Sequence, residues 1–345
     1  MTHRIERLRA RLEEPLLVTN GSNVYYLTGF ESSNCALLVE EERVRLFADF
    51  RYAAAARGIE GVEFEETKRN LVADLAQRLS GRVGFEAATL SYAAYETLHD
   101  GGLELLPRTG LVEALRAVKD EHELAAIRAA CILTDRVYER LADKRFVGRT
   151  ERDVAWQLTE LFHEEGAEAL AFEPVVASGP NAAKPHARAT RRVIERGETV
   201  VVDAGCRVDG YSSDYTRTFA TGPLRDELKE AYRVVAEAQE AALAGLRPGL
   251  SGVDGDRLAR DVVDATPFAS GFGHGLGHGL GLLTHEAPRL STESTDTLEA
   301  GNVVTVEPGI YLDGVGGVRI EDDVLVTRDG IENLTSVRKD LVVVD

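Results

Sequence analysis

Cysteine is scarce in this chain of 345 residues. Cys35, Cys131 and Cys206 are widely separated, and no two cysteines form a C-x-x-C pair. An odd number of cysteines at such spacing indicates neither a disulfide framework nor a zinc site built from thiolates. The fold and any metal site must therefore rest on other residues.

Long apolar runs are missing as well. No stretch of about 18 apolar residues occurs, so the sequence predicts no transmembrane helix. The N-terminal segment is rich in arginine and glutamate, and Ile5, Leu8 and Leu12 follow helical spacing. It lacks the apolar centre of a signal peptide. We therefore expect a cytoplasmic protein that does not bind a membrane.

Positive charge is in short supply. The chain has 40 lysines and arginines against 58 aspartates and glutamates, a formal net charge of -18. Nucleic-acid binding needs a positive surface, so the sequence argues against a nucleic-acid partner. Hydrophobic residues at 44% and charged residues at 28% are typical of a globular protein. Most of the acids are then expected on the surface, but a few lie where solvation is not the reason.

The pattern of apolar residues changes near residue 115. Before it, short apolar runs alternate with helical stretches, and residues 35–39 and 44–47 flank a charged turn as in a hairpin. After it, the periodicity predicts long helices over residues 119–141, 151–165 and 224–246, with glycine-bounded strands between them. We predict a small α/β domain over residues 1–117 and an α+β domain over residues 118–345.

Three acids fall within strongly apolar segments. Asp203 follows three valines, Glu307 follows the run 302–306, and Glu321 lies between apolar residues. Continuous β-branched runs of this kind are typical of buried strands. A carboxylate buried alone is costly, so each must be paired, protonated or bound to a cation.

Two predicted turns bring these acids into pairs. Asp209-Gly210 and Asp313-Gly314 are typical hairpin turns, and residues equidistant from such a turn face each other about 5 Å apart. Two like charges at that distance repel, and residues 203–206 offer no arginine or lysine. A divalent cation is the simpler partner, and two hairpins predict two ions. The predicted pairs are Asp203 with Asp214 and Glu307 with Glu321.

Glycine occupies every second position from 271 to 281. This removes side chains from one face, so that another strand or a ligand can approach the backbone closely. His274 and His278 would then point to the other face. The alternation with histidine and leucine is unlike a flexible linker, and the glycine spacing never completes a dinucleotide-binding motif. One histidine with four carboxylates suits manganese, cobalt or zinc better than copper.

Five ordered motifs resemble the M24 metallopeptidases. The resemblance extends to segments 22–30 (SNVYYLTGF) and 115–120 (LRAVKD), which are similar to the N-terminal domain and domain junction of Xaa-Pro aminopeptidases and Xaa-Pro dipeptidases, or prolidases. It implies a pita-bread catalytic domain preceded by a smaller creatinase-like α/β domain. The motifs are 202–205 (VDAG), 213–218 (SDYTRT), 277–286 (GHGLGLLTHE), 306–309 (VEPG) and 319–323 (RIEDD).

The resemblance also implies the residues of the site. Two divalent ions (manganese, cobalt or zinc) would be bridged by Asp214 and Glu321. His186, His274 and His285 match substrate-binding histidines, and Arg319 matches an arginine beside the ligands. One departure is Leu283-Thr284, where the family often has an acidic or polar residue and then valine or isoleucine. Relatives with this build commonly form homodimers, which we also expect here. The implied metal ligands are Asp203, Asp214, His278, Glu307 and Glu321.

A role for each residue follows from the implied chemistry. Two ions can lower the pKa of a shared water towards 7, and Glu307 is expected to accept its proton. His285 and His186 would stabilise the oxyanion and assist the leaving prolyl nitrogen, while His274 shapes the proline pocket. Arg51 could hold a free substrate carboxylate and so favour dipeptides. A solvated arginine or a structural ion pair explains Arg51 equally well.

Three other functions share this fold. A creatinase-like hydrolase needs no metal, a methionine aminopeptidase normally lacks the added N-terminal domain, and a non-enzymatic binding module would have lost metal ligands. Retention of all five ligands favours a peptidase. We predict hydrolysis of the Xaa-Pro bond at the N-terminus of dipeptides or short peptides, with a dipeptidase slightly favoured over an aminopeptidase.

Overall fold

The computed structural model describes residues 2–345. The chain divides into two compact units, one ending at Arg116 and the other comprising Ala117–Asp345. No helix within residues 2–345 has both the length and the apolar character needed to cross a membrane.

The N-terminal unit is built on a mixed six-stranded sheet in the order β4-β3-β2-β1-β5-β6. The β2–β3 ladder pairs Val39 with Val44, which confirms the hairpin predicted around the charged turn. Its elements are α1 (Thr2–Arg9), β1 (Leu16–Val18), α2 (Gly21–Thr28), β2 (Cys35–Val39), β3 (Val44–Asp49), α3 (Ala53–Ala56), β4 (Glu63–Thr67), α4 (Leu71–Arg78), β5 (Gly81–Glu86), α5 (Tyr92–Asp100), β6 (Leu103–Arg108) and α6 (Glu113–Arg116).

One face of this sheet is covered by α4 and α5. Leu75 of α4 and Leu98 of α5 pack against Leu38 and Phe47 of the sheet, all of them buried. Burying such side chains stabilises the unit by about 1.5–3 kcal/mol each. The helix α4 begins where Asn70 caps the backbone N–H of Ala73.

The C-terminal unit combines long helices with antiparallel ladders. All three predicted helices are confirmed as α7, α8 and α9. Its elements are α7 (Glu121–Ala142), α8 (Glu151–Glu164), β7 (Ala169–Leu170), β8 (Val175–Ser178), β9 (Thr199–Ala204), β10 (Cys206–Val208), β11 (Tyr211–Ser212), β12 (Tyr215–Ala220), α9 (Asp226–Gly245), α10 (Gly252–Asp264), β13 (Gly277–Gly279), β14 (Glu286–Leu290), β15 (Val303–Val306), β16 (Gly309–Leu312), β17 (Gly316–Arg319), β18 (Asp322–Val326) and β19 (Ile331–Asn333).

The strands of this unit form short sheets, and helices pack on these sheets in two hydrophobic cores. In one core α7 and α8 pack on β9 and β12, which belong to the sheet β12-β9-β8. In the other core α9 and α10 pack on β15 and β18 of the sheet β14-β13-β15-β18-β19. The strands β10 and β11 join β7 in a separate sheet of three strands, and β16 and β17 form a sheet of two.

Helix α10 is absent from the sequence prediction. Ser251 caps it, but Gly252 and Gly255 weaken the helical signal of its first turn. Gly252 is needed because a Cβ there would lie 2.2 Å from the backbone oxygen of Arg289. Tertiary packing therefore overrides the low helix propensity of this segment.

Candidate active site

The ladder between β9 and β12 positions the first two acids. Asp203 lies within β9 and is paired with Thr216, so it does not face Asp214 directly as predicted. The prediction was wrong by two residues, because the chain leaves this ladder after Ala204 and the turn at 209–210 belongs to the separate β10–β11 hairpin. Asp214 precedes Thr216 by two residues, so side-chain alternation keeps both acids on one face.

The second pair of acids lies where two ladders meet. Gly309 pairs with Arg319 in β16–β17, and Val306 pairs with Asp322 in β15–β18. One register therefore runs through both ladders and places Glu307 opposite Glu321, as the turn predicted. Glu321 is not inside a strand, however, because residues 320–321 form a break between β17 and β18.

His278 joins these acids from β13. Its Nε2 atom lies 3.4 Å from Glu307 Oε1 and 3.7 Å from Asp214 Oδ2. Its Nδ1 atom lies 3.1 Å from the carbonyl oxygen of Gly279 and must donate there, because a carbonyl only accepts. The Nε2 lone pair therefore faces the carboxylates. Burial lowers the pKa of His278 to about 4, so the ring is neutral at pH 7.

Glycine is required on both sides of His278. A Cβ at Gly277 would lie 2.0 Å from Thr305 O, and a Cβ at Gly279 would lie 2.1 Å from Ala287 O. Real Cβ atoms do not approach that closely. The alternating glycines thus allow neighbouring strands to flank the histidine, as the sequence predicted.

A buried arginine partly balances the carboxylates. Arg319 Nη2 lies 2.5 Å from Asp203 Oδ2, and Arg319 Nε lies 4.0 Å from Glu321 Oε2. The prediction from residues 203–206 that no basic side chain neutralises Asp203 was therefore wrong, because the guanidinium comes from β17, where the resemblance implies Arg319 beside the ligands. One guanidinium still leaves the four carboxylates with an excess of negative charge.

The pKa values of the carboxylates reflect their burial and their mutual repulsion. Burial, reinforced by the neighbouring acids, raises the pKa of Asp214 and Glu321 well above their ordinary values. Burial also raises the pKa of Glu307 to about 7. Asp203 Oδ1 is buried and has no hydrogen-bond partner in residues 2–345.

These residues fit a divalent cation. Ligand atoms of Asp214, His278 and Glu321 all lie within 4.8 Å of one another. A cation would satisfy the Nε2 lone pair of His278, which otherwise faces oxygen lone pairs, and the unpartnered oxygen of Asp203. One imidazole nitrogen with several carboxylate oxygens is a donor set that suits manganese, cobalt or zinc.

Almost all predicted site residues line one cavity of about 570 Å³ in the C-terminal unit. Arg51 is the exception. It lies in the N-terminal unit, where Nη2 and Nε bind the two carboxylate oxygens of Asp49 at 2.7 and 2.9 Å. The predicted residues that line the cavity are His186, Asp203, Asp214, His274, His278, His285, Glu307, Arg319 and Glu321.

His274 is fixed through both ring nitrogens. Nδ1 lies 2.8 Å from the carbonyl oxygen of Gly275, and Nε2 lies 2.9 Å from Tyr311 Oη. Because Tyr311 Oη accepts from Arg319 at 3.0 Å, it can give its own proton to His274. Burial lowers the pKa of His274 to about 4. The ring is thus a neutral, fixed part of the cavity wall.

His186 and His285 are the exposed histidines of the cavity. The ring of His285 lies 4.2 Å from that of His278, centroid to centroid. Partial burial, together with nearby His186, lowers the pKa of His285. Both rings are therefore accessible to a ligand in the cavity, unlike His274.

Sequence reasoning missed the hydroxyl groups that hold the acids. Thr216 Oγ1 accepts from Arg319 at 2.8 Å and donates to Glu321 Oε2 at 2.7 Å. Thr305 Oγ1 donates to Glu307 Oε1 at 3.2 Å. Each threonine lies two residues from a site acid along the chain, so the period of two in a strand could have identified it.

Two cationic side chains of the cavity were also missed. Arg188 and Arg289 are exposed and line the cavity. Arg289 is paired with His278 across the β13–β14 ladder, and Arg188 follows His186 by two residues. Neither guanidinium has a hydrogen bond or ion pair to another residue of the described chain, so both are available to an anionic group.

Comparison with known proteins agrees with this geometry. Residues 125–328 match Metallopeptidase family M24, and residues 4–118 match the Creatinase/Prolidase N-terminal domain. The chain is 33% identical over 334 residues to an Xaa-Pro dipeptidase from Pyrococcus horikoshii, covering 95% of this chain and 94% of that protein.

Solved structures are similar over nearly the whole length. An Xaa-Pro dipeptidase from Bacillus anthracis is 36% identical with a TM-score of 0.95, covering 99% of both chains. An X-Pro aminopeptidase from Thermotoga maritima is 33% identical with a TM-score of 0.90, covering 99% of this chain and 100% of that one. The chain belongs to metallopeptidase family M24, with a creatinase/prolidase N-terminal domain preceding its pita-bread catalytic domain.

Proposed function

We propose that this enzyme hydrolyses the Xaa-Pro bond of dipeptides with the help of two divalent metal ions. The observation that carries the proposal is the convergence of His278 and four carboxylates in one cavity, where one buried arginine leaves negative charge unbalanced. Relatives named Xaa-Pro dipeptidase support the substrate class.

The metal ligands would be the five residues that the motifs indicate. When bound, the ions supply a Lewis acid and a nucleophile that forms at neutral pH. The excess carboxylate charge and the Nε2 lone pair of His278 support this set. The proposed ligands are Asp203, Asp214, His278, Glu307 and Glu321.

Glu307 would move the proton during the reaction. Thr305 Oγ1 donates to its Oε1 at 3.2 Å and so fixes the orientation of the carboxylate. A carboxylate held beside the reacting groups can accept a proton and release it again. We propose that Glu307 accepts the proton of the attacking nucleophile and returns it to the leaving prolyl nitrogen.

His186 and His285 would bind the reacting peptide group. Both rings are exposed in the cavity, and an N–H from each can donate to the carbonyl oxygen as negative charge develops. His274 has no free nitrogen, since Gly275 and Tyr311 occupy both. We therefore propose that His274 forms part of the wall against which the proline ring packs.

A free guanidinium would select dipeptides. In a dipeptide the carboxylate directly follows the proline, so a nearby arginine can bind it with charge-assisted hydrogen bonds. The guanidinium groups of Arg188 and Arg289 have no partner among residues 2–345 and line the same cavity, whereas Arg51 is already bound to Asp49. Arg51 remains a third candidate that would have to leave this partner.

The test is an assay of chelator-treated protein with manganese, cobalt or zinc added back. We expect cleavage of Ala-Pro, slower cleavage of Ala-Pro-Ala, and no cleavage of Met-Ala. Faster cleavage of Ala-Pro-Ala would indicate an Xaa-Pro aminopeptidase instead. Hydrolysis of creatine by the chelated protein would indicate the creatinase-like alternative, and binding of peptides without cleavage would indicate a non-enzymatic module.

The homodimer expected from the sequence belongs to the same proposal. Light scattering coupled to size-exclusion chromatography measures the mass directly. A mass near twice 37.6 kDa agrees with the expectation, and a mass near 37.6 kDa contradicts it.

A further inference from the structure

A buried glutamate outside the cavity holds the loop that carries His186. We call residues 179–189 the histidine loop. This loop follows β8 and includes Pro185 and His186, both of which line the cavity. Glu151, the first residue of α8, is 0% exposed and does not line the cavity.

The carboxylate of Glu151 binds the two residues that flank the histidine loop, Ser178 and Thr190. Oε1 accepts from the backbone N and from Oγ of Ser178, both at 2.8 Å. Oε2 accepts from the backbone N and from Oγ1 of Thr190, at 2.9 and 2.6 Å. Asn181 Nδ2 reaches both oxygens at 3.2 Å. One side chain thus ties together residues that are 12 apart in sequence.

Neutral groups make all six hydrogen bonds to this carboxylate within residues 2–345, and Arg192 adds attraction at longer range, since its Nη1 donates to Ser178 Oγ at 2.8 Å. A buried charge is tolerated only when hydrogen bonds satisfy it. Burial raises the pKa of Glu151, and the hydrogen bonds from Thr190 and Ser178 lower it by a larger amount. The net result is a pKa below the ordinary value, so the group is ionised at neutral pH. Six donor contacts converge on this one buried carboxylate, and we call this set of hydrogen bonds the loop brace.

The other contact of the loop leads to the candidate metal centre. The Pro185 carbonyl oxygen accepts from Arg319 Nη1 at 3.2 Å, and Arg319 Nη2 binds Asp203. The histidine loop is therefore held by Glu151 at its two ends and by Arg319 beside His186. The position of the His186 ring relative to the carboxylates depends on both contacts.

We propose that Glu151 is a positioning residue for hydrolysis, acting through His186. The inference rests on the proposed function, since it assumes that His186 binds the reacting peptide group. A residue that acts only through His186 has no effect of its own once His186 is gone. A residue that serves only folding lowers activity regardless of whether His186 is present.

The test is a double-mutant cycle on kcat/KM for Ala-Pro with manganese. Glu151→Gln keeps the shape of the side chain but turns one acceptor into a donor that faces other donors. We expect Glu151→Gln and His186→Ala each to lower kcat/KM by about 10- to 100-fold, because small displacements of a reacting group have effects of this size. The double variant should lose less than threefold more than His186→Ala alone. Independent effects that multiply would overturn the proposal.

A milder variant tests the same contact in case Glu151→Gln fails to fold. Thr190→Val removes one hydroxyl donor and keeps the backbone donor, so a smaller loss with the same dependence on His186 is expected. Glu160→Gln lies on the exposed side of the same helix and serves as the matched control, with activity unchanged.

Hydrogen exchange tests whether Glu151 holds the histidine loop, independently of whether the protein cleaves peptides. Backbone amides of residues 182–189 should exchange faster in Glu151→Gln than in the unaltered protein or Glu160→Gln, whether or not any peptide is cleaved. If the unaltered protein fails to cleave Ala-Pro while these amides respond, the proposed function is wrong and the loop brace stands. Unchanged exchange would show that Glu151 does not hold the histidine loop.

Discussion

Arg319 and Asp203 form a largely buried ion pair within the carboxylate cluster, with Nη2 and Oδ2 2.5 Å apart. The pair occupies one oxygen of Asp203 and leaves Oδ1 without a hydrogen-bond partner among residues 2–345. Arg319 also binds Thr216, which in turn binds Glu321. A single guanidinium therefore orients carboxylates from two ladders.

Removing this guanidinium should destabilise the metal-free protein. Arg319→Gln leaves Asp203 buried without its ion-pair partner, and breaking a buried pair in this way costs about 3–5 kcal/mol. We expect a loss of that size in the free energy of unfolding, measured by urea titration with a chelator present. Arg338→Gln removes a surface ion pair with Asp340 and is the matched control. Equal urea midpoints for the two variants would contradict this account of Arg319.

Metal removal should make stability depend on pH above neutrality. Glu307 has a folded pKa of about 7, against an ordinary value of 4.5, and the pKa values of Asp214 and Glu321 are also raised well above their ordinary values. At pH 6.5 to 8 these carboxyl groups hold more protons in the folded state than in the unfolded chain, so their contribution to stability falls as pH rises. The buried histidines act with the opposite sign, and their effect fades above pH 6.5 as unfolded histidine loses its proton.

Thermal unfolding of the two forms measures this effect. The melting temperature of chelated protein should fall between pH 6.5 and pH 8, and that of manganese-loaded protein should not, because bound ions favour the ionised carboxylates. The loaded form should also melt higher at each pH, since binding to the folded state adds stability by mass action. Parallel pH profiles for the two forms would show that the carboxylates do not face bound ions.

The glycines beside His278 should not tolerate a side chain. A Cβ at Gly277 would lie 2.0 Å from Thr305 O, so Gly277→Ala forces β13 away from β15. Overpacking of this kind costs about 1–3 kcal/mol or more. We expect such a loss in stability together with weaker manganese binding, measured by calorimetry. Gly273→Ala is the matched control, because nothing lies within 4 Å of a Cβ there. Equal manganese affinity in both variants would contradict the close-packing argument.

Local sequence signals sufficed for much of the site. The apolar runs before Asp203 and Glu307 predicted acids at the ends of buried strands, and the turn at 313–314 gave the correct pairing of Glu307 with Glu321. These features depend on residues close in sequence, where side-chain alternation and turn chemistry act. The division into an α/β part and an α+β part likewise follows from local periodicity.

Contacts between distant segments could not be predicted in this way. Arg319 lies 116 residues from Asp203, and the brace of Glu151 joins α8 to a loop about 30 residues later. The register of β9 against β12 depends on where the chain leaves the ladder, which the turn at 209–210 does not reveal. Such pairings are decided by tertiary packing, for which a single sequence carries no local signal.

Arg289 is a candidate to bind the carboxylate of a dipeptide substrate. If it does, Arg289→Ala should lower kcat/KM for Ala-Pro by about 10- to 100-fold, the effect of losing a hydrogen bond to a charged group. Ala-Pro-Ala carries its carboxylate one residue further on, so its kcat/KM should fall by less than threefold. The same pair of substrates applied to Arg188→Ala and Arg51→Ala identifies which arginine makes the contact.

The three arginine variants have distinguishable outcomes because their present partners differ. Arg51 is engaged by Asp49, so Arg51→Ala should change the two substrates equally if that ion pair is structural. Arg188 and Arg289 have no partner in the described chain, and one of them should produce the selective loss for Ala-Pro. A selective loss confined to Arg51→Ala would assign the contact to the N-terminal unit and remove the role proposed for Arg289. Equal losses in all three variants would mean that no arginine among them distinguishes dipeptides from longer peptides.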